Sequence, residues 1–246
     1  MALYLGNQKV SLRSGQDPTF DYGFDSNGRL VWANPKLYLE NTGISYIDTG
    51  FFADSYTTMD VIFKITDYRA KNDNTRNMLF GGSQGYRELK NFWCSFWVSS
   101  SDNNFWWLNP TDRGAGTIVS TKINTQSRYR VILNGTKINS NSYVYEEGKV
   151  ILSQDNGTAR DITQSASQTL FIRKDNIVDS SYYFLGKIYS AKIFSKGTLL
   201  FQFVPVPMNM QIGSFITPSN GMFDIINQKF YENKGSGTFN FGKDLL

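Results

Sequence analysis

The side chains best suited to ligand chemistry in this sequence belong to a dense run of aromatic residues at positions 86–107. If residues 91–98 form a strand, alternation places Trp93 and Trp97 on one face and the residues between them mostly on the other. Flat aromatic rings stack on the apolar faces of sugar rings, and guanidinium and amide groups beside them bond to hydroxyl groups. The candidate glycan-binding residues are Trp93, Trp97, Trp106, Trp107, Arg87 and Asn104.

A second interpretation assigns the same aromatic residues to the hydrophobic core, because large rings supply much of the area that a wide β-sandwich buries. Cys94, the only cysteine, alternates with the tryptophans and is predicted to be a small buried apolar residue. A reactive thiol needs an activating base, and the chain has no histidine. Two interpretations of the tryptophans therefore remain: they form a binding surface, or they belong to the hydrophobic core.

The residue types give little support to catalysis. The absence of histidine removes Ser-His-Asp and Cys-His chemistry and the usual zinc ligands, and a single cysteine cannot form an internal disulfide. Retaining glycosidases hold two carboxylates about 5 Å apart, as alternate positions on one strand would allow. Glu146 and Glu147 are adjacent instead, and the other glutamates stand alone. We expect no catalytic residues and no metal ligands, and a hydrolase built from distant carboxylates is kept as a third hypothesis.

The charge distribution argues against two further classes of function. The formal net charge is +4, and the basic residues are scattered singly along the chain. Nucleic-acid-binding proteins concentrate positive charge on one face, so no nucleic-acid partner is expected. No apolar run approaches the length of a membrane span, and residues 1–12 lack the features of a signal peptide. We expect synthesis in the cytoplasm without a signal peptide, and no insertion into a membrane.

The elements that must position these side chains are short strands. The chain is 40% hydrophobic and 15% aromatic with only five glutamates, a composition that favours strands and turns over helices. Residues 58–65 alternate as a half-buried strand should. Further strands are predicted at residues 91–98, 105–108, 128–133, 169–173, 182–194, 199–204 and 229–232, with hairpins at Gly6-Asn7, Asn134-Gly135 and Asn156-Gly157. Without a sustained helical period, the pattern predicts an all-β fold.

The chain divides near Pro35. Residues 1–12 contain two short β segments around a turn signal, and residues 13–34 are dense in turn formers such as Asp17-Pro18 and Asn27-Gly28. We predict a short N-terminal arm and linker over residues 1–34 and a β-sandwich over residues 35–246.

Three segments of the sandwich region resemble one family. They are residues 45–51 (SYIDTGF), residues 186–194 (GKIYSAKIF) followed by 197–207, and residues 221–224 (GMFD) followed by 230–233 and 235–242. In this order they resemble the opening strand, late hairpin and closing segment of concanavalin A-like, laminin-G-like jelly-roll domains of bacteriophage or prophage virion proteins. Residues 1–12 (MALYLGNQKVSL) resemble the start of phage structural proteins that attach a distal domain to the virion.

The resemblance implies a two-sheet antiparallel jelly-roll sandwich that binds ligands on its concave sheet or at its rim loops. It does not imply one activity, because this fold hosts lectins, glycanases and purely structural modules. With no catalytic pattern in the sequence, we expect a non-enzymatic protein at the virion surface, in a fibre, tail or decoration position. The arm would bind other virion proteins, and the sandwich, as a homo-oligomer present in many copies, would bind host surface glycans. The alternative is a purely structural subunit whose sandwich contacts only neighbouring proteins. The sequence leaves both open.

Calcium is the one cofactor that the resemblance brings in, because some laminin-G-like domains hold it at the sandwich rim. The loop aspartates available here are Asp73, Asp102, Asp112, Asp175 and Asp179. They do not form a calcium-loop pattern, and isolated loop aspartates are ordinary turn formers. No cofactor is therefore expected, and calcium is kept as the alternative.

Overall fold

Strands are the only regular elements in the part of the chain that the structure describes. The computed structural model describes residues 3–5, 8–10, 21–67, 76–82, 95–99, 105–108, 118–119, 124–135, 137–138, 141–155, 167–171 and 183–244. No helix occurs in these ranges, and so none there is long and apolar enough to cross a membrane. The strands are β1 (Leu3–Leu5), β2 (Gln8–Val10), β3 (Tyr22–Phe24), β4 (Leu30–Ala33), β5 (Leu37–Asn41), β6 (Ile47–Asp48), β7 (Thr57–Ile65), β8 (Arg76–Gly81), β9 (Ser95–Ser99), β10 (Phe105–Leu108), β11 (Ile118–Val119), β12 (Tyr129–Leu133), β13 (Asn141–Glu146), β14 (Lys149–Asp155), β15 (Thr169–Leu170), β16 (Gly186–Ser195), β17 (Thr198–Val206), β18 (Gln211–Ile212), β19 (Phe215–Ile216), β20 (Gly221–Asp224), β21 (Lys229–Tyr231) and β22 (Phe239–Lys243).

Two antiparallel sheets form the body of the molecule. The larger sheet has the order β14-β13-β12-β7-β16-β17-β20-β21, and β5 joins it by pairing with both β16 and β22. The smaller sheet has the order β11-β10-β9-β8-β15-β6. One core cluster contains side chains of both sheets, such as Phe63 and Phe203 from the larger and Ile47 and Leu170 from the smaller. The prediction of an all-β, two-sheet antiparallel sandwich is confirmed.

The strand β7 shows how the sequence builds this core. Met59, Val61, Phe63 and Ile65 are fully buried in the core cluster, and the residues between them lie on the opposite face. The prediction for residues 58–65 is therefore confirmed.

The other predicted strands also occur, with ends that differ by a few residues. The stretches concerned are residues 105–108, 128–133, 169–173, 182–194, 199–204 and 229–232. The β1–β2 hairpin predicted at Gly6-Asn7 is confirmed by its pairing. The predicted strand at residues 91–98 is described only from Ser95, and Asn156-Gly157 lies outside the described residues.

The strands β17 and β20 bury side chains on both faces of the larger sheet. Phe203 and Met222 belong to the core between the sheets, whereas Val204 and Phe223 belong to a second cluster that also contains Leu30. This second cluster joins the sheet to the β3–β4 and β18–β19 hairpins. The nearly continuous apolar run of β17 suits a strand that is buried on both faces.

The turn-rich segment before Pro35 contains structure of its own. Residues 22–33 form the β3–β4 hairpin, where turn formers had indicated a loop. The hairpin is stable because Leu30 is buried in the second cluster and the hydroxyl group of Tyr22 donates to the carbonyl oxygen of Pro205 at 2.9 Å. The division into an arm over residues 1–34 and a sandwich after it stays a prediction.

The hairpin predicted at Asn134-Gly135 is present, but its turn is not the predicted tight one. β12 ends at Leu133 and β13 begins at Asn141, and Gly135 passes so close to Ser55 that a Cβ atom would collide with its carbonyl oxygen. Two-residue turns occur instead at Glu147-Gly148 and Lys196-Gly197. Both residues of each turn have positive φ, as a type I′ hairpin turn requires.

Candidate functional site

The structure places three of the predicted glycan-binding tryptophans on neighbouring strands of the smaller sheet. Trp97 in β9 is the register partner of Trp106 in β10, and Trp107 follows Trp106 along the same strand. Three further candidates lie outside the described residues: Trp93, Arg87 and Asn104. A glycan site on these strands stays a prediction.

The described residues contain no group of three or more cysteine, aspartate or glutamate side chains that could hold a metal ion. The loop aspartates considered for calcium, together with Cys94, lie outside the described ranges. The expectations about calcium and about a buried cysteine therefore stay predictions.

A groove of about 690 Å³ opens beside β21, at one edge of the larger sheet. We call it the rim groove. It is lined by Asn27, Gly28, Arg29, Ile212, Gly213, Ser214, Phe215, Pro218, Phe223, Gln228, Lys229, Phe230 and Glu232. Three hairpins contribute these residues, namely β3–β4, β18–β19 and β20–β21. The volume falls within the range of small-ligand sites, which is about 300–1,000 Å³.

Two phenylalanines form the apolar wall of the rim groove. Phe215 is 42% exposed, and its ring centroid lies 5.7 Å from that of Phe230 with the ring planes tilted by 41°. The β18–β19 hairpin holds Phe215 there because Ile212 is anchored in the second cluster and the hydroxyl oxygen of Thr217 accepts the N–H of Met210 at 2.8 Å. An exposed ring on an anchored hairpin loses little freedom when it binds a ligand.

The polar wall of the rim groove comes from the turn of the β3–β4 hairpin. Asp25 Oδ1 accepts the backbone N–H groups of Asn27 and Arg29, both at 2.9 Å, and these bonds fix the turn. Gln228 ties the turn to the β20–β21 hairpin, because its Nε2 donates to the carbonyl oxygen of Leu30 at 2.8 Å. The exposed side chains of Asn27 and Arg29 are therefore held at the groove, where amide and guanidinium groups can bond to a ligand.

A second groove, of about 360 Å³, also borders β21. We call it the side groove. It is lined by Asp48, Thr49, Gly50, Phe52, Ser167, Lys229, Phe230, Tyr231, Glu232 and Lys234. Lys229, Phe230 and Glu232 line both grooves, so the two grooves meet along β21.

Phe52, which is 51% exposed, is the most exposed ring of the side groove, and the loop that carries it is anchored. Thr49 donates its N–H and its hydroxyl group to the carbonyl oxygen of Gln168, and the N–H of Gln168 donates to the carbonyl oxygen of Phe51 at 2.7 Å. Gly50 has a φ of +70°, a value that favours glycine. The ring of Phe51 packs against the core, and Phe52 is left at the surface.

Charged groups lie along β21 between the two grooves. Lys229 Nζ lies 4.8 Å from the ring centroid of Tyr231, in a cation–π contact. Lys234 Nζ donates to Glu232 Oε1 at 2.8 Å, and this bond raises the pKa of Lys234. The boundary between the grooves thus has positively charged hydrogen-bond donors and a negatively charged acceptor.

A separate cluster on the larger sheet holds the end of the described chain. Asp244 accepts hydrogen bonds from Lys187 Nζ at 2.9 Å and from the hydroxyl group of Tyr189, and the guanidinium carbon of Arg128 lies 3.9 Å from the ring centroid of Tyr189. Burial opposes the ionisation of Asp244, but these hydrogen bonds and the charge of Lys187 outweigh it and lower the pKa of Asp244. Burial, with Asp244 adding to it, raises the pKa of Tyr189. None of these residues lines either groove. We therefore assign these residues a structural role and call them the Asp244 cluster.

Sequence reasoning missed both grooves. Their residues come from positions 27–29, 48–52, 167, 212–218, 223 and 228–234, which only the tertiary fold brings together. Two signals were present nevertheless: the turn dipeptide Asn27-Gly28, and the segment 45–51, which resembles a known family.

Comparison with known proteins supports the fold. No protein-family model matches the chain, and no curated protein sequence does. The "putative carbohydrate binding protein" of Bacteroides ovatus matches with a TM-score of 0.53 and 12% identity over 85% of this chain; the match spans only 60% of that protein's length. The heptameric SAP-like pentraxin of Limulus polyphemus matches with a TM-score of 0.51 and 12% identity, over 86% of this chain and 97% of the pentraxin. These likenesses identify the fold of the chain as a jelly-roll sandwich.

Proposed function

We propose that this chain is a non-enzymatic carbohydrate-binding protein that holds a sugar in the rim groove. The observation that carries the proposal is the exposed ring of Phe215 beside Phe230, in a groove that Asn27 and Arg29 also line. A sugar has apolar ring faces and hydroxyl edges, so an aromatic wall and a hydrogen-bonding wall match its two kinds of surface. The fold shared with a "putative carbohydrate binding protein" supports the same function.

The carboxyl groups in the side groove do not favour hydrolysis of the bound sugar. Asp48 and Glu232 both line the side groove, but each already accepts a hydrogen bond. Asp48 accepts the hydroxyl group of Ser167, and Glu232 forms an ion pair with Lys234 at 2.8 Å. A glycosidase needs one carboxyl group that donates a proton to the leaving oxygen, whereas both carboxyl groups here act as hydrogen-bond acceptors. We therefore propose binding without catalysis.

The location that we propose is the surface of a phage or prophage virion, in a fibre, tail or decoration position. A single open groove binds weakly, and many copies on one particle raise the avidity without new contacts. In this proposal the protein is made in the host cytoplasm, residues 1–34 bind other virion proteins, and the sandwich acts as a homo-oligomer that faces host glycans. The phage-like segments at residues 1–12 and 45–51 support it.

The test is a glycan array that includes bacterial capsular and wall polysaccharides, followed by titration calorimetry on the strongest ligand. We expect Phe215→Ala to weaken binding by about tenfold or more, since a central aromatic contact contributes about 2 kcal/mol. Ile216→Ala is the matched control, because Ile216 is the next residue, is 59% exposed and does not line the groove. Equal affinities of Phe215→Ala and the wild type would overturn the rim groove as the site.

Two other outcomes point to the alternative functions. Phe215, Ile216 and Met208 are exposed apolar residues, and exposed apolar patches also mark protein interfaces. If the folded protein binds no glycan and Phe215→Ala changes its oligomeric state, the chain is a structural subunit. If the protein releases reducing ends from a glycan and both Asp48→Asn and Glu232→Gln abolish that release, it is a hydrolase.

A further inference from the structure

We infer that the ligand is an internal segment of a long glycan chain that crosses β21 and occupies both grooves. This inference rests on the proposed function and specifies its ligand: a polymer bound along its length, not a terminal sugar held in a single pocket.

The first support is the continuity of the two grooves. Lys229, Phe230 and Glu232 line both, so the rim groove and the side groove are separated only by the strand β21. The side chains of this strand alternate, with Phe230 packed on the second cluster and Tyr231 in the core between the sheets. Among the described strands, β21 pairs only with β20. A single edge strand therefore forms the boundary that the ligand has to cross.

The second support is an exposed aromatic ring in each groove. Phe215 is 42% exposed in the rim groove, and Phe52 is 51% exposed in the side groove. Each ring is carried by a segment anchored through hydrogen bonds, Phe215 by the base of its hairpin at Thr217 and Phe52 by the bonds to Gln168. Two fixed rings on either side of one strand give two stacking positions for the sugar rings of one chain.

The third support is the chemistry of the boundary itself. Lys229 is exposed, and its ammonium group lies 4.8 Å from the ring centroid of Tyr231. Glu232, which lines the same two grooves, is also exposed and is paired with Lys234. An ammonium donor and a carboxylate acceptor between two rings suit the hydroxyl groups of the sugars that join the two stacked positions.

The occupation of two linked sites predicts how affinity depends on ligand length. A fragment that reaches one groove gains one set of contacts, whereas a fragment that spans both binds the second groove at a high effective concentration. Affinity should rise with the number of sugar residues until both grooves are filled, and it should then level off. Removal of the side-groove ring should weaken only the fragments that reach it.

The probe is the polysaccharide that binds most tightly in the array, cut and size-fractionated into disaccharide, tetrasaccharide, hexasaccharide and octasaccharide fragments. Calorimetry would compare the wild type with Phe52→Ala and with Val150→Ala. Val150 is 53% exposed and lines neither groove, so its substitution controls for the loss of an exposed apolar side chain. We expect the octasaccharide to bind the wild type at least tenfold more tightly than the disaccharide. We also expect Phe52→Ala to remove most of that gain, with no change for the disaccharide.

The outcomes separate this inference from the proposed function. Equal affinities for all fragments, together with no effect of Phe52→Ala, would overturn the two-groove ligand while the rim groove remains a sugar site. A wild-type protein that binds neither the fragments nor the polysaccharide would overturn the proposed function and this inference together. An affinity that rises with length equally in the wild type and in Phe52→Ala would place the second contact elsewhere and overturn the side groove.

Discussion

The substitution Asp244→Asn tests how much the charge of Asp244 in the Asp244 cluster contributes to the stability of the folded state. The new residue has nearly the same shape but no charge, so Lys187 loses its charged partner, and Tyr189 loses a carboxylate acceptor. Asp244 and Lys187 are only 25% and 15% exposed, so the loss is not fully replaced by water. The substitution should therefore destabilise the folded state.

The magnitude follows from the two hydrogen bonds that change. A bond to a charged group contributes about 1.5–3 kcal/mol, whereas exposed ion pairs contribute about 0–1 kcal/mol. For a partly buried carboxylate we take about 1 kcal/mol for each bond, which gives a loss of about 2 kcal/mol. In a chain of this length that loss lowers Tm by about 4–8 °C. Asp67→Asn is the control, because Asp67 is exposed and is expected to change stability by less than about 0.5 kcal/mol.

The pH dependence tests the cause of the change. Because the pKa of Asp244 is lowered in the folded state, its contribution is present above the unfolded value of about 3.9 and is lost as pH falls through the folded value. Burial alone would lower the pKa of Lys187, but the hydrogen bond and charge of Asp244 raise it. The stability that charged Lys187 contributes is therefore lost only at strongly alkaline pH, as pH rises through its raised pKa. Urea unfolding at pH 7, 5 and 3 should therefore show a gap between the wild type and Asp244→Asn that shrinks at the lowest pH. A gap that is absent at pH 7, or equally large at pH 3, would refute the reasoning.

Three further substitutions test contacts that stabilise the sandwich and its hairpins. Gln228→Ala removes the bond to the Leu30 carbonyl oxygen, so we expect a loss of about 1–2 kcal/mol and faster hydrogen exchange in the turn at residues 25–29. Arg130→Lys replaces two bonds to Asp60, at 2.8 and 2.7 Å, by one, and urea unfolding should show a loss of about 0.5–1 kcal/mol that decreases at high salt. Phe203→Ala empties a fully buried site in the core, and calorimetry should show a loss of about 3–5 kcal/mol.

The fold was largely predictable from the sequence because its strands carry a local signal. In β7 the apolar residues Met59, Val61, Phe63 and Ile65 repeat at every second position, and no other regular structure buries such a pattern on one side. The turns were less predictable. Asn134-Gly135 has the composition of a tight turn, but the close approach of Gly135 to Ser55 places it in a longer connection.

The grooves were not predictable, because no local pattern connects the segments that form them. Gln228 donates to the carbonyl oxygen of Leu30 across 198 positions of the chain, and this bond places Arg29 near β21. Hydrophobic periodicity predicts which residues are buried, but it does not predict which hairpins contact each other. The β3–β4 hairpin was missed for a related reason: its strands have three and four residues, too short for alternation to outweigh the turn formers around Asn27-Gly28.

The tryptophan strands β9 and β10 lie away from β6, the edge strand of the smaller sheet that borders the side groove, so the two site hypotheses can be tested separately. β9, which contains Trp97, is separated from β6 by β8 and β15, so three spacings of about 4.8 Å place the two strands about 14 Å apart. Asp48, at the end of β6, lines the side groove. A change at Trp97 is therefore too far away to act on the side groove by contact. If Trp97→Ala abolishes glycan binding while Phe215→Ala retains it, the site is on the tryptophan strands; the reverse result places it in the rim groove.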